Sequence, residues 1–273
     1  MSIILYPLLV LGGLGLLFGI ILSLASKAFA VETDPKVEEV RSVLPGANCG
    51  ACGYPGCDGF ASSVVEGKAP VNGCAVGGKA VAEKVAKIMG VGAGETEKKV
   101  AVVLCQGNNS KAVKKYKYIG IHDCKAANIV SGGDKACQYG CLGLGSCKDV
   151  CKFGAIEIVD GIAVIDPEKC TSCGQCIKAC PKGIIQLVPY SQKLVVKCRS
   201  LEFGKPVKEK CSTGCIGCQM CVRACPAEPK AMQFENNVPH IDYEKCINCG
   251  LCAEKCPTGA IWSILEKKKV ADK

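Results

Sequence analysis

Cysteine is the residue that could do chemistry in this chain, and its spacing repeats. Three runs read C-x2-C-x2-C-x3-C-P: Cys170-Cys173-Cys176-Cys180-Pro181, Cys215-Cys218-Cys221-Cys225-Pro226 and Cys246-Cys249-Cys252-Cys256-Pro257. Thiolates at this spacing hold a cubane [4Fe–4S] cluster, and where two runs form one unit the fourth cysteine of each serves the cluster of the other. Two other chemistries compete for cysteine. Disulfide frameworks belong to short secreted chains, whereas this chain has 273 residues and gathers its 24 cysteines into runs. Structural zinc uses separated CxxC pairs, often with histidine; these runs are unbroken and the chain has 2 histidines. The chemistry implied is one-electron transfer.

The elements that must position the runs come in two copies. Ala155 to Ile165 alternates apolar residues around an Asp160-Gly161 turn and ends in Asp166-Pro167-Glu168-Lys169-Cys170. Ala231 to Ile241 repeats the plan and ends in Asp242-Tyr243-Glu244-Lys245-Cys246. Each reads as a β-hairpin feeding the second cysteine run of a two-cluster, bacterial ferredoxin-like unit. In the second unit the crossover rule groups Cys215, Cys218, Cys221 and Cys256, and separately Cys225, Cys246, Cys249 and Cys252. In the first unit the partner run is degenerate: Cys137, Cys141, Cys147 and Cys151, with Lys152 where proline is usual. Cys151 is expected to cross over to Cys170, Cys173 and Cys176, leaving Cys137, Cys141 and Cys147 to share a cluster with Cys180.

Nearer the amino terminus, Cys49, Cys52, Cys57 and Cys74 form a separate C-x2-C-x4-C-x16-C pattern with Gly50, Gly53, Gly56 and Gly59 interspersed. These glycines let the backbone fold tightly, so that amides can face cluster sulfurs. Asp58 to Glu66 reads as a short helix, and Lys79 to Met89 as an amphipathic helix with Val81, Val85 and Ile88 inward. Gly90 to Gly94 reads as a linker. The count is then about five clusters, with Cys105, Cys124, Cys198 and Cys211 left over. These four are buried free thiols or a spatial pair, or together a sixth metal site. His122 and His240 lie outside every run and are expected to be structural or at the surface.

Residues Ile3 to Ala25 carry no charge and are long enough to cross a bilayer as one helix. A cleaved signal peptide is the rival, with Ala28-Phe29-Ala30 as its site, but no basic residue precedes the apolar run. Lys27, Lys36 and Arg41 follow the span, which puts the body in the cytoplasm. Gly12, Gly15 and Gly19 offer a small-residue face to a partner helix. Glu32 to Glu39 reads as an acidic connector. The formal charge is +9, but a four-thiolate cubane carries about −2, so five sites would nearly cancel it. No aromatic-interleaved basic motif points to nucleic acid, and the Lys267-Lys268-Lys269 tail reads as a solvated end. Aromatic residues make up only 5 % of the chain, so apolar burial is modest and cluster ligation must supply part of the folding free energy.

A single amino-terminal apolar helix, then Leu44-Pro45-Gly46-Ala47-Asn48-Cys49-Gly50-Ala51-Cys52-Gly53-Tyr54-Pro55-Gly56-Cys57 with a distant fourth cysteine, then tandem ferredoxin motifs, closely resembles the B subunit of the Rnf complex. The resemblance covers essentially the whole chain. It implies an electron-entry subunit of an ion-translocating ferredoxin:NAD+ oxidoreductase in the cell (inner) membrane, its body cytoplasmic, pumping Na+ or H+. The implied partners are reduced ferredoxin, integral-membrane Rnf subunits and the subunit holding NAD(H) and flavin.

The expected fold class is α+β: an N-terminal transmembrane helix, a small [4Fe–4S] module, then two tandem bacterial-type 2[4Fe–4S] ferredoxin-like units. The expected divisions are 1–26 (anchor), 27–95 (first module), 96–195 (connecting segment and first unit) and 196–273 (second unit and basic tail). Nucleotide loops, flavin fingerprints and catalytic triads are absent from the sequence, so no independent catalytic site beyond electron transfer is expected. Two rival functions remain: a structural or assembly subunit, and the wiring subunit of another membrane oxidoreductase such as a hydrogenase.

Overall fold

A computed structural model of the chain describes residues 2–28, 34–94 and 97–263. The Ala28-Phe29-Ala30 motif falls partly, and the Lys267-Lys268-Lys269 tail wholly, outside the described residues. The first helix, α1 (Ser2–Ala28), holds a stretch from Leu8 to Ser26 with mean hydropathy 2.5 and none of it buried. It is apolar on every side, with Leu9, Leu16, Phe18 and Ile21 all exposed. At 1.5 Å per residue it is about 40 Å long, enough to cross a membrane.

Three helices follow: α2 (Pro35–Val43), α3 (Gly56–Val65) and α4 (Gly78–Met89). The first of these falls where the sequence suggested a connector. Its start is nonetheless encoded: the Asp34 carboxylate accepts the Lys36 N–H at 2.9 Å, and Pro35 occupies the first turn, where its missing N–H costs nothing. The helices close on Val40, Phe60, Val64 and Val85. Val85 is fully buried as expected, but Ala82 and Ala86 share its face, while Val81 and Ile88 are only half-buried at its flanks. Gly90, at φ +69°, ends α4, and the Val91 N–H returns to the Ala86 carbonyl at 3.0 Å.

Each ferredoxin-like unit joins an inner hairpin to an outer strand pair. In the first, β1 (Lys99–Val103) runs antiparallel to β4 (Ile185–Pro189), and β2 (Ile156–Val159) to β3 (Ile162–Ile165). In the second, β5 (Leu194–Val196) pairs with β8 (Ile261–Ser263), and β6 (Met232–Glu235) with β7 (Val238–Ile241). β5 therefore straddles the expected 195/196 division, and by its pairing it belongs with the second unit. Both inner turns have two positive-φ residues, Asp160-Gly161 and Asn236-Asn237, the type that matches strand twist.

Among the described residues six short helices complete the units: α5 (Cys124–Ile129), α6 (Ser146–Asp149), α7 (Gln175–Ala179), α8 (Lys205–Lys210), α9 (Met220–Arg223) and α10 (Leu251–Glu254). Four of these (α6, α7, α9 and α10) begin inside a cysteine run, each directly after a left-handed residue: Gly145, Gly174, Gln219 and Gly250. That reversal turns the preceding cysteines toward the one on the helix. The two units share a core of Val100, Val102, Leu104, Val188 and Val195. They are also stitched by backbone bonds from Val113 N–H to Lys210 (2.9 Å) and Ser212 N–H to Lys111 (3.0 Å).

Candidate metal centres

All 24 cysteines are free thiols, and their surroundings sort 23 of them into five sets of four and one of three, with Cys225 beside the last. Site 1 is Cys49, Cys52, Cys57 and Cys74, which line one hollow with Leu44 and Phe60. Asn48 Oδ1 accepts the Cys57 N–H at 2.8 Å, and the Gly77 N–H points at Cys74 Sγ (3.4 Å). Site 2 is Cys151, Cys170, Cys173 and Cys176, lining a hollow with Ala101, Phe153 and Ile156. Burial, then the neighbouring Cys170, Cys173 and Cys151, push the Cys176 thiol up to about 12. The Ala101 N–H donates to Cys170 Sγ at 3.3 Å. Both groupings are the ones the spacing suggested.

The next two sites differ from expectation by an exchange of cysteines. Cys141, Cys147 and Cys180 do meet, but the fourth thiol of site 3 is Cys124, not Cys137. Burial, then Cys141, Cys124 and Cys180, push Cys147 up to about 12. Cys137 instead joins Cys105, Cys198 and Cys211 in site 4. Its thiol is pushed up to about 11, by burial first and then by those three. The leftover cysteines thus do converge, with Cys137 in place of Cys124.

Backbone pairing explains the exchange. Residues 113–115 pair with 134–136 through Ala136 N–H to Val113 (2.8 Å) and Lys115 N–H to Asp134 (2.7 Å), and Ala112 bridges to Cys211. Cys137 is carried toward Cys211 by this ladder. Cys105 and Cys198 arrive at the ends of the matching strands β1 and β5, so site 4 sits at the junction of the two units.

In the second unit, Cys215, Cys218, Cys221 and Cys256 form site 5; burial, then Cys221, Cys256 and Cys218, raise Cys215 to about 11. The Ala260 N–H donates to Cys256 Sγ at 3.2 Å. Site 6 gathers Cys246, Cys249 and Cys252, with Cys252 pushed to about 11 by burial and then by the other two. Cys225 packs in an apolar cluster with Cys252 of this site and with Cys221 and Cys256 of site 5, and the crossover spacing is what allots it to site 6. Burial raises its thiol, but amides of Met232, Ala227 and Ala231 outweigh this and lower it.

These sets fit cubane clusters better than single ions. Among the described residues no three His, Cys, Asp or Glu side chains are close enough to hold one metal ion, whereas tetrahedral zinc would need four thiolates within about 2.3 Å of a common point. The cages of sites 1 to 4 are hollow, and backbone N–H groups aim at cysteine sulfurs such as those of Cys74, Cys170, Cys105 and Cys256, as cluster sulfurs require. Thiols that burial keeps neutral become thiolates on ligating a metal centre. Neither histidine takes part: His122 is exposed, and His240 lies 3.9 Å from the Glu235 carboxylate.

An Fe-S cluster family model matches residues 44–76, and 4Fe-4S binding domain models match 163–186, 209–228 and 239–262. Cys105, Cys124, Cys137, Cys141, Cys147, Cys151 and Cys198 lie outside all of these segments. The B subunit of the Na(+)-translocating ferredoxin:NAD(+) oxidoreductase complex of Acetobacterium woodii is 50% identical over 90% of this chain and 73% of its own length. The B subunit of the ion-translocating oxidoreductase complex of Methanosarcina acetivorans is 44% identical over 89% of this chain and 92% of its own. The B subunit of the proton-translocating ferredoxin:NAD(+) oxidoreductase complex of Clostridium ljungdahlii is also 44% identical, over 89% and 85%. With iron–sulfur domains along its body and this similarity over most of its length, the chain belongs to the B-subunit family of the Rnf complex, as an iron–sulfur electron-transfer subunit.

Proposed function

We propose that this chain is the electron-entry subunit of its Rnf complex, taking electrons from reduced ferredoxin and relaying them toward NAD+ reduction coupled to Na+ or H+ translocation. In this reading α1 anchors it in the cell membrane, the body is cytoplasmic, and sites 1 to 6 each ligate one [4Fe–4S] cluster. The clusters supply one-electron redox steps; the protein sets their order and surroundings.

The observation that carries the reading is continuity from each site to the next. The Gln175 side chain, in the site 2 run, donates to the Cys49 carbonyl of site 1. Cys147 of site 3 lies within the electrostatic reach of Cys176 of site 2. The Cys141 N–H of site 3 donates to Cys105 Sγ of site 4 at 3.4 Å. The Cys215 N–H of site 5 points at the Cys198 sulfur of site 4. Cys221, Cys225, Cys252 and Cys256 of sites 5 and 6 share one apolar cluster. Such contacts support a path from the first module to the distal unit.

The test is anaerobic titration of the full chain in detergent with reduced ferredoxin, followed by EPR. Ferredoxin-dependent reduction is expected. Clusters that dithionite reduces and ferredoxin leaves oxidised would rule out the entry role.

A further inference from the structure

Two lysines stand where sites 3 and 4 meet. Lys135 is 2% exposed, and its ammonium donates to the carbonyls of Gly107 and Gly161, both at 2.8 Å. Those carbonyls belong to loops that serve different sites. The N–H of Gly107 reaches Cys105 Sγ in site 4 (3.4 Å). Gly161 leads into the strand whose Ala163 N–H reaches Cys141 Sγ in site 3 (3.5 Å). Lys182 comes from the other side. It lines site 3 just beyond Cys180 and donates to Gly132 and Gln138 (2.8 and 2.6 Å), carbonyls that flank Cys137 of site 4.

Carbonyls satisfy the N–H groups of an ammonium but do not neutralise it, and a buried cation without a compensating anion is strongly disfavoured. Among the described residues no carboxylate forms an ion pair with either lysine; Asp134, next to Lys135, pairs with Lys114 at 3.4 Å. The anions that face them are sulfurs. Lys135 lines the hollow of site 4, and Lys182 that of site 3.

We propose that Lys135 and Lys182 tune the potentials of sites 3 and 4, the buried positive charge of Lys135 and the half-buried one of Lys182 stabilising the reduced clusters and making this junction an electron-holding step between the two ferredoxin-like units. The proposal rests on the six-cluster reading given above. Each reduction adds one electron to a site, from ferredoxin in function or from dithionite in a titration, and raises its negative charge by one without a proton. A fixed cation in a low-dielectric interior lowers the energy of that added charge more than a surface lysine can.

The test uses the full chain as wild type, K135M, K182M and K135R, with iron and sulfide measured before an EPR-monitored redox titration. In K135M two clusters are expected to become harder to reduce, each by at least tenfold in the reduction equilibrium, which is 59 mV for one electron. K182M should move the same two signals in the same direction, K135R should stay near wild type, and the remaining signals should not move. A purely structural lysine would change iron content or stability without this paired shift. Full iron with unshifted potentials in both methionine variants overturns the proposal. If K135M loses iron, K182M decides: an unshifted pair there overturns it equally. A wild-type chain lacking iron for sites 3 and 4 overturns the cluster reading itself.

Discussion

The Ser146 hydroxyl accepts the Cys124 N–H at 2.7 Å and donates onward to the Asp123 carboxylate, also at 2.7 Å. The other oxygen of Asp123 caps α5 by accepting the Ala126 N–H at 2.8 Å. Ser146 adjoins Cys147, so this relay holds a cysteine from a distant stretch of sequence against the rest of site 3. It also holds the Asp123 carboxyl below its ordinary range, chiefly through the Ala126 amide and the Ser146 hydroxyl.

The relay separates Cys124 from Cys137 experimentally. Cys124→Ser should remove the EPR signal and about four iron atoms of site 3, and Cys137→Ser those of site 4. Ser146→Ala should lower site 3 occupancy alone, because a buried N–H without its acceptor costs about 1–3 kcal/mol. Loss of the same signal in both cysteine variants would contradict the assignment.

How much of this was legible in the sequence depended on whether the ligands were neighbours. Site 1 draws on one local pattern, and sites 2, 5 and 6 on a short run plus one crossover; the geometry groups the cysteines of sites 1, 2 and 5 as the spacing suggested, and Cys246, Cys249 and Cys252 of site 6. The D-G turn likewise announced the first hairpin, and the repeated plan the second. Sites 3 and 4 take cysteines from separate strands and loops, and spacing cannot say which of two unpaired cysteines a backbone ladder delivers to which cage. One local signal for Cys124 did exist: Asp123 directly before it is a helix N-cap residue. The same signal, Asp34-Pro35, marked the start of α2 inside a stretch that looked like a connector.

Glycine substitutions should distinguish packing from conformation. Gly143 has φ +73°, and a Cβ there would run into the Gly161 carbonyl at the β2–β3 turn. Gly174 has nearly the same φ, +71°, with nothing within 4 Å. Gly143→Ala should therefore destabilise the chain by about 3 kcal/mol or more, and Gly174→Ala by about 1–2 kcal/mol. Thermal denaturation under anaerobic conditions measures both, and equal losses would argue against the close approach.

Gln175→Ala removes the side-chain bond to the Cys49 carbonyl. Iron content should be unchanged, while stopped-flow reduction shows slower electron exchange between sites 1 and 2. An unchanged rate would mean that this contact does not hold the first module in register.

Leu17→Arg puts a charge in the middle of α1, which costs about 2.5–3.5 kcal/mol for insertion into a bilayer. The variant should shift from the membrane to the soluble fraction. With the wild-type chain, protease added outside spheroplasts should spare the body, and cleavage of the body from outside would reverse the proposed orientation.

The most direct measurement is iron and acid-labile sulfide per chain, with native mass spectrometry, on the full chain purified without oxygen. Six four-cysteine sites predict about 24 iron and about 24 sulfide, four of each per cubane. A fully loaded protein that stops at about 20 of each, with Cys105, Cys137, Cys198 and Cys211 still open to alkylation, would contradict the six-site account.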